Sequence, residues 1–366
     1  LNNVLIGNTA ANTLDGGSGA DTMRGLAGND IYYVDHDRDQ TLELAGGGYD
    51  EVIASISWVL SDYVEDLTLV PASGAEGPEL NLDGTGNLLS NQIIGTDGDN
   101  RLSDGGGGLD RLHGGAGNDT YVVSTTSTRV YESRDNGLDV VESSISYSLG
   151  SNIEELHLTG ASDVDATGNT LDNVLLGNSG SNVLDGSRGA DTMRGGMGDD
   201  HYYLDHELDF VSELAGEGRD LVFSSVSYEL PEHVEGLELI GSRSIDASGN
   251  ALDNLIVGNT AANVINGGLG ADTMEGWLGN DVYFVDHPGD VIVDRHGTSL
   301  IYASINWQLA DGLDDLSLIG SALIGVGNGD ANTLIGNDLD NLLDGGDGVD
   351  VLTGGGGADG FLLRSV

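Results

Sequence analysis

The sequence predicts an all-β protein, an elongated parallel β-roll or β-solenoid, because two kinds of repetition run through it. A chain of 366 residues with 60 glycines repeats one phrase in five places, around Asp21, Asp110, Asp191, Asp272 and Asp350. Inside each repeat, glycines, aspartates or asparagines, and single hydrophobic residues recur every nine positions. Isolated hydrophobic residues with polar neighbours are typical of very short strands, and glycines are typical of tight turns. A helix would need hydrophobic residues spaced near 3.6 and few glycines.

The repeated phrase divides the chain into five blocks. It is GADTMRGLAGNDIYYVD at 19–35 and GADTMRGGMGDDHYYLD at 189–205, and the segments between phrases repeat as well. No segment has the character of an unrelated domain, so we predict one continuous solenoid. Because the chain begins inside a repeat, we expect it to be a fragment or a processed product. The predicted block bounds are near 1–83, 84–165, 166–246, 247–324 and 325–366, the last block being truncated.

A ladder of oxygen-bearing side chains follows from the nine-residue step. In the first block a ladder residue follows every nine positions, at Asn3, Asn12, Asp21, Asp30 and Asp39. We interpret each nonapeptide as a turn of about six residues and a strand of about three, so that two nonapeptides form one coil. Side chains one coil apart then lie about 4.8 Å above one another. Aspartates at that spacing repel unless a cation lies between them.

The composition limits the classes of partner. There are 61 acidic residues against 12 basic ones, all arginine, which gives a formal net charge of −49. Such a charge argues against nucleic acid and anionic membrane surfaces as partners. The absence of cysteine excludes disulfides and thiolate metal sites, and no hydrophobic run is long enough for membrane insertion. The remaining ligands, carboxylate and carbonyl oxygens, suit a hard cation, and calcium tolerates an irregular oxygen cage best.

The phrase GGSGADTMR at 16–24 fits the pattern GGxGxDx-hydrophobic-x, and through it the sequence resembles the RTX, or haemolysin-type, calcium-binding repeat family. The long block resembles the long-period form of these repeats in bacterial secreted proteins, and the resemblance covers essentially the whole chain. It implies a parallel β-roll with multiple calcium ions between successive GGxGxD turns. It also implies type I secretion of the unfolded chain and an extracellular or cell-surface location, where calcium allows folding.

The ladder and the resemblance together give the expected calcium ligands. The carboxylate ligands are Asp21, Asp30, Asp39, Asp110, Asp119, Asp191, Asp200, Asp209, Asp272, Asp281, Asp290, Asp350 and Asp359. The carbonyl ligands come from the loop glycines that precede them, namely Gly17, Gly19, Gly28, Gly117, Gly189, Gly198, Gly268, Gly270, Gly279, Gly346, Gly348 and Gly357.

Departures from the motif predict weaker sites. The second block has an extra residue in LSDGGGGLD at 102–110, which breaks the nine-residue step, and Thr128 where other blocks have aspartate. We expect the site that pairs Asp110 with this level to be weak or missing. Ser187 stands where the motif has glycine. Other loops end in asparagine, and there we expect weaker sites or hydrogen-bonded turns: Asn12, Asn182, Asn263 and Asn341.

Further recurring residues leave alternatives open. The histidines at the His36 position follow an aspartate in three blocks, but no zinc-type spacing accompanies them, so we interpret them as exposed turn residues. The Glu43 and Glu65 positions are acidic in four blocks, and they are edge charges, structural hydrogen-bond partners or additional cation ligands. The aromatic residues at the Trp58 position are predicted to pack as an interior ladder, with stacking on sugars as the alternative.

The chain has no nucleophile elbow, P-loop or dinucleotide fingerprint, so we predict that it is not an enzyme. We predict a calcium-binding secreted repeat protein whose folding and rigidity depend on calcium. A structural role is favoured, as a surface layer, extracellular fibre or adhesin stalk, with further copies of itself as partners. The alternative is a calcium-dependent secretion or carrier region of a larger type I-secreted enzyme or toxin.

Overall fold

The computed structural model describes residues 1–134, 136–294 and 296–362. Its regular structure consists of short β-strands and one 3₁₀ turn, Gly77–Leu80. The strand pairs within it are parallel, which confirms the predicted all-β, parallel β-roll architecture. In the part of the chain that the structure describes, no helix combines the length and the apolar character needed to cross a membrane.

The chain forms two compact units. Unit 1 comprises Leu1–Asn182 and Gly186–Thr192, and unit 2 comprises Val183–Asp185 and the chain from Met193 onward. The change from one unit to the other falls inside the third predicted block, so the units do not coincide with blocks. One continuous solenoid of five blocks stays a prediction.

Unit 1 contains one short and two long runs of alternate strands. They are β1-β3-β5, β2-β4-β6-β8-β10-β12-β14 and β7-β9-β11-β13-β15-β17-β19, beside the pair β16-β18. The strands are β1 (Val4–Ile6), β2 (Thr13–Asp15), β3 (Thr22–Arg24), β4 (Ile31–Val34), β5 (Gln40–Leu42), β6 (Glu51–Ala54), β7 (Trp58–Val59), β8 (Asp66–Leu69), β9 (Gly84–Thr85), β10 (Gln92–Ile94), β11 (Arg101–Ser103), β12 (Arg111–His113), β13 (Thr120–Val123), β14 (Arg129–Tyr131), β15 (Val140–Ser143), β16 (Tyr147–Ser148), β17 (Glu155–Leu158), β18 (Ala166–Thr167) and β19 (Val174–Leu176).

Unit 2 has the same organisation. Its runs are β20-β22-β24-β26-β28-β30-β32, β25-β27-β29-β31-β33-β35-β37-β39 and β34-β36-β38-β40. The strands are β20 (Val183–Asp185), β21 (Thr192–Arg194, which begins in unit 1), β22 (His201–Leu204), β23 (Phe210–Val211), β24 (Leu221–Ser224), β25 (Tyr228–Glu229), β26 (Gly236–Leu239), β27 (Ala247–Ser248), β28 (Leu255–Val257), β29 (Val264–Asn266), β30 (Thr273–Glu275), β31 (Val282–Val285), β32 (Val291–Val293), β33 (Leu300–Ala303), β34 (Trp307–Gln308), β35 (Asp315–Leu318), β36 (Ile324–Val326), β37 (Thr333–Ile335), β38 (Leu342–Asp344), β39 (Val351–Thr353) and β40 (Gly360–Leu362).

The register gives the length of each coil. Val4 pairs with Thr22, so two nonapeptides close one coil, as the sequence predicts. The part of the block after the nonapeptides closes in coils of other lengths. Ile31 pairs with Glu51, which makes a coil longer than two nonapeptides, and Glu51 pairs with Asp66, which makes a shorter one. The second block repeats both steps.

The core consists of hydrophobic side chains that alternate along the short strands with more exposed neighbours, and four-residue strands such as β4 bury two of them, here Tyr32 and Val34. Leu14, Met23 and Tyr32, which are nine residues apart, are 2%, 0% and 0% exposed. The tyrosines equivalent to Tyr32, namely Tyr121, Tyr202 and Tyr283, are also fully buried. The hydrophobic period that predicts short strands therefore also identifies the inward-facing residues.

The predicted interior aromatic ladder at the Trp58 position is wrong in part. Trp58, Tyr147, Tyr228 and Trp307 are half-buried, whereas the leucines two residues further on, such as Leu60, are buried. Trp58 borders an open surface cleft together with Thr41 and Ser61, so part of its ring faces solvent. The leucines form the interior ladder, and the aromatic rings lie at its margin.

Candidate metal centres

Glycine loops form the turns before the strands. All twelve glycines predicted as carbonyl ligands have positive φ, from +62° at Gly17 to +139° at Gly279, a conformation that favours glycine. Lack of space is a second reason for glycine in these loops, because a Cβ on Gly16 would lie 2.4 Å from Oδ2 of Asp21. The glycines allow the aspartate to lie against its own loop. Ligation by their carbonyl oxygens stays a prediction.

The aspartates form the ladder that the nine-residue step predicts. Oδ1 of Asp21 accepts a hydrogen bond from the N–H of Asn3, one coil earlier, at 2.5 Å, and Oδ1 of Asp30 accepts from Asn12 at 2.6 Å. One carboxylate oxygen of each such aspartate is therefore fixed by the preceding coil. The same contact, at 2.7–3.0 Å, recurs at Asp110, Asp119, Asp191, Asp272, Asp281, Asp350 and Asp359.

The second carboxylate oxygen is buried. Oδ2 of Asp21, Asp30, Asp119, Asp272 and Asp281 has no hydrogen-bond partner among the described residues, and none of these five residues is more than 1% exposed. An ionised oxygen buried without a partner costs several kcal/mol. A bound cation removes that cost, so these residues fit a metal ion. Their donor set of carboxylate and loop carbonyl oxygens fits calcium.

Burial raises the pKa of three ladder aspartates. It raises the pKa of Asp110 and Asp272 to about 6 and the pKa of Asp119 to about 7. Loss of hydration is the largest cause, and neighbouring carboxylates add to it, Asp104 beside Asp110 and Glu132 beside Asp119. The hydrogen bond from the preceding coil lowers each pKa by less than burial raises it. Without a cation, these three aspartates therefore resist ionisation in the folded state.

Asparagine at a ladder position makes a hydrogen-bonded turn. Oδ1 of Asn12 accepts from the N–H of Asn8 at 2.6 Å, and Oδ1 of Asn263 accepts from Asn259 at 2.9 Å. Nδ2 of Asn263 also donates to the carbonyl of Ile245 at 2.6 Å. The structure therefore favours the hydrogen-bonded turn over a weak metal site at these loops.

In three blocks the last aspartate of the nine-residue ladder caps a turn. These aspartates are Asp39, Asp209 and Asp290. Oδ1 of Asp39 accepts from the N–H of Asp21 at 2.8 Å, and Oδ2 accepts from the N–H groups of Asp35 and His36 at 3.3 and 3.2 Å. Asp209 and Asp290 make the equivalent turn contacts. Asp21 thus lies one coil from Asp39, as expected. Ligation by Asp39 stays a prediction, and backbone amides already occupy both of its oxygens.

In the second block the extra residue supplies a carboxylate. Asp104 is 1% exposed, and its Oδ2 accepts from the N–H groups of Ser124 at 2.6 Å and Thr125 at 3.1 Å. The corresponding amides of the first block bind Asp39. Oγ1 of Thr128 donates to Oδ2 of Asp104 at 3.0 Å and lies 3.5 Å from Oδ2 of Asp110. Asp104 therefore supplies a carboxylate at the level where Thr128 has none. The weak or missing metal site expected at Asp110 stays a prediction.

Further carboxylates belong to the ladder although they do not follow the nine-residue spacing, because their coils are longer or shorter than two nonapeptides. Oδ1 of Asp50 accepts from the N–H of Asp30 at 2.8 Å, and Oε2 of Glu65 accepts from the N–H of Asp50 at 2.8 Å. The glutamates at the Glu65 position are therefore structural hydrogen-bond partners. The signal in the sequence is the recurrence of acidic residues at these block positions. The same contacts recur at Asp139 and Glu154 and at Asp220 and Glu235.

The recurring histidines border turns, as predicted. Nδ1 of His36 accepts from the N–H of Arg38 at 3.1 Å, and His206 and His287 make the same contact two residues on. His206 and His287 are exposed, as is the aspartate that precedes each of the three. These residues serve local turn geometry.

Comparison with known proteins gives two findings. The model of the RTX calcium-binding nonapeptide repeat (4 copies) matches residues 1–32, 85–121, 167–202, 248–283 and 326–361, and each segment contains a pair of ladder aspartates. The chain is also similar to the endo-1,3-1,4-beta-glycanase ExsH of Rhizobium meliloti (strain 1021), with 37% identity over 62 residues. That similarity covers 17% of the chain and 13% of the glycanase, so the chain spans a small part of that relative's length.

Proposed function

Because the chain is an RTX calcium-binding repeat protein, we propose that calcium drives its folding and that the calcium-bound β-roll is an extracellular structural element. We assign no catalytic role to the repeats. Calcium is the partner that every block is built to bind, and further copies of the chain are the proposed macromolecular partner.

The row of buried, unpartnered carboxylate oxygens carries the proposal. The chain has no lysine, and among the described residues no arginine forms an ion pair with a ladder aspartate. The arginine ion pairs of the described residues join Arg101 to Glu142 and Arg194 to Glu217, outside the ladder. A divalent cation with several oxygen ligands supplies the missing charge.

Cation binding and folding are linked through this charge. Without calcium, a formal charge of −49 opposes a compact state, and a chain with 60 glycines loses much conformational entropy on folding. Calcium binds the folded ladder and not the extended chain, so its binding free energy becomes folding free energy. We expect site affinities on the order of 0.1–1 mM, as in extracellular modules.

A titration of calcium into chelator-treated protein, followed by far-ultraviolet circular dichroism, tests this linkage. We expect β-structure to rise cooperatively with calcium, and magnesium to be a poor substitute because it needs near-ideal octahedral geometry. No rise with calcium would contradict calcium-driven folding. An equal rise with magnesium would contradict selectivity for calcium.

The structural role is supported by the repeats, which recur in both compact units and pair their strands coil upon coil. Electron microscopy with and without calcium tests assembly. Filaments or layers in calcium are expected, and monodisperse monomers in both conditions would contradict the structural role.

The similarity to part of a glycanase favours a second candidate function. The repeats would then be the calcium-dependent secretion or carrier region of a larger type I-secreted enzyme. In both cases the chain is exported unfolded and folds on meeting calcium outside the cell. The domain content of the full gene distinguishes them. A catalytic domain in the same gene would favour the carrier, and a gene of repeats alone would favour the structural element.

A further inference from the structure

A group of three carboxylates lies just beyond the nonapeptides of the first two blocks. In the first block it comprises Asp30, Glu43 and Asp50, each of which offers an oxygen within 4.8 Å of the others. We call this group the carboxylate triad. Glu43 and Asp50 lie outside the matched repeat segment, which ends at residue 32. In the second block, where the segment ends at residue 121, the triad is Asp119, Glu132 and Asp139.

The triad is buried, and two of its carboxylate oxygens have no hydrogen-bond partner among the described residues. Asp30, Glu43 and Asp50 are 1%, 9% and 0% exposed. Oδ1 of each aspartate accepts a backbone hydrogen bond from one coil earlier, Asp30 from Asn12 and Asp50 from Asp30. Oδ2 of both aspartates has no hydrogen-bond partner among the described residues. Two unpartnered, buried oxygens beside a third carboxylate point to a cation at their centre.

A buried tyrosine positions the third carboxylate. The hydroxyl of Tyr32 donates to Oε1 of Glu43 and accepts from the N–H of Gly25 at 2.7 Å. The same glycine leaves room for two of the carboxylates, because a Cβ on Gly25 would lie 2.1 Å from Oδ2 of Asp30 and 2.4 Å from Oε1 of Glu43. The second block repeats this arrangement with Tyr121, Glu132 and Gly114.

We propose that each carboxylate triad binds one divalent cation of the calcium class, in a second kind of site that combines one nonapeptide aspartate with two carboxylates outside the nonapeptide motif. Three carboxylates without nitrogen or sulfur ligands suit a hard cation. The choice of calcium rests on the proposed function. Because Glu43 and Asp50 belong to the coil after the nonapeptides, the cation joins that coil to the nonapeptide loops.

The other blocks set the expected number of triad sites. The third block has Asp200, Glu213 and Asp220 at these positions; Tyr202 donates to Glu213, and Asp220 accepts from the N–H of Asp200 at 2.9 Å. The fourth block has Asp294 in place of the glutamate and Ser299 in place of the last aspartate. It therefore has one carboxylate fewer. We expect no triad site in the fourth block and one in each of the first three, around Glu43, Glu132 and Glu213.

Calcium stoichiometry of the full chain tests the triads. The variants are Glu43→Gln, Glu132→Gln and Glu213→Gln, because glutamine keeps the shape of the side chain and an acceptor for the tyrosine. Equilibrium dialysis at saturating calcium, with metal analysis, is expected to show one ion fewer per chain in each variant. The triple variant is expected to lose three. Asp294→Asn is the matched control and is expected to lose none.

The possible outcomes separate this proposal from the general one. If Glu43→Gln folds in calcium and keeps the wild-type stoichiometry, the triad site is wrong while calcium-driven folding stands. If the wild-type chain does not respond to calcium at all, the proposed function is wrong. Loss of an ion in Asp294→Asn would contradict the need for three carboxylates.

A measurement on the wild-type chain covers the case in which a glutamine variant fails to fold. Crystals grown with a lanthanide in place of calcium locate every site by anomalous scattering. A peak within bonding distance of Asp30, Glu43 and Asp50 is expected. Peaks confined to the glycine loops, with none at the triads, would overturn the proposal.

Discussion

Gly25 shows how closely single residues are fitted around the ladder. A Cβ at this position would lie between 2.1 and 2.5 Å from Oδ2 of Asp30, Oε1 of Glu43 and the hydroxyl of Tyr32. Its neighbour Leu26, by contrast, adopts φ +81° despite the cost of about 1–2 kcal/mol for a side chain in that region. Space next to the carboxylates, more than backbone conformation, therefore selects glycine at position 25.

The substitution Gly25→Ala tests this at the residue scale. We expect it to lower the free energy of unfolding by about 2 kcal/mol or more in saturating calcium, because the added methyl group displaces two carboxylates. Chemical denaturation followed by circular dichroism measures the change. Gly329→Ala is the control, since no atom lies within 4 Å of its Cβ position, and its effect should stay within about 0.5 kcal/mol. Equal denaturation midpoints for the two variants would refute the account of Gly25.

At the scale of the loop and its strand, the second block shows that one structural role can be filled from two sequence positions. In the first block Asp39 caps the turn that precedes it, through the N–H groups of Asp35 and His36. In the second block Asp104 caps the corresponding turn from the preceding coil, and Thr128 hydrogen-bonds to it. The inserted residue and the threonine are therefore one coupled change.

The pair Asp104 and Thr128 gives a prediction at this scale. Asp104→Ala is expected to cost about 1–3 kcal/mol, because it leaves the partly buried amides of Ser124 and Thr125 without their acceptor. Adding Thr128→Asp should recover much of that loss by restoring the arrangement of the first block. Thr128→Asp alone should destabilise, because it adds a carboxylate beside Asp104 and Asp110. Equilibrium unfolding of the four proteins gives the coupling, and additive effects would show that the two positions are independent.

The same elements show what the sequence predicts and where it stops. The nine-residue period places Asn3 against Asp21 and turns Met23 inward, because coils of constant length carry the period into space. It does not place Asp50 or Asp104, since coils of irregular length shift the ladder relative to the count along the chain. The length of an irregular coil depends on how its loop closes in three dimensions. Recurrence between blocks, and not period, identifies such positions.

At the scale of the whole molecule, negative charge governs the conditions under which the chain can fold. The chain has a formal charge of −49, and buried ladder carboxylates recur in both compact units. Burial and neighbouring acids raise the pKa of Asp50 to about 6 and that of Asp220 to about 7, from an ordinary value near 4. In the calcium-free state the folded chain therefore binds more protons than the unfolded chain between these values.

This difference predicts that acid partly replaces calcium. Stability falls with rising pH wherever the folded state binds more protons, so the contribution of these groups is present below about pH 4 and is lost towards pH 7. In excess chelator, we expect more β-structure at pH 5 than at pH 8 by circular dichroism. A β-signal that decreases on acidification would contradict the role assigned to the buried carboxylates.

Amide hydrogen exchange of the full chain, with calcium and with excess chelator, tests calcium-driven folding most directly. With calcium, we predict slow exchange at the strand amides of every block and at ladder amides such as those of Asn3 and Asn12, which donate to Asp21 and Asp30. In chelator at neutral pH, the same amides should exchange at the rate of an unfolded chain. Equal protection in both conditions would show that the β-roll is stable without its cations and would contradict calcium-driven folding.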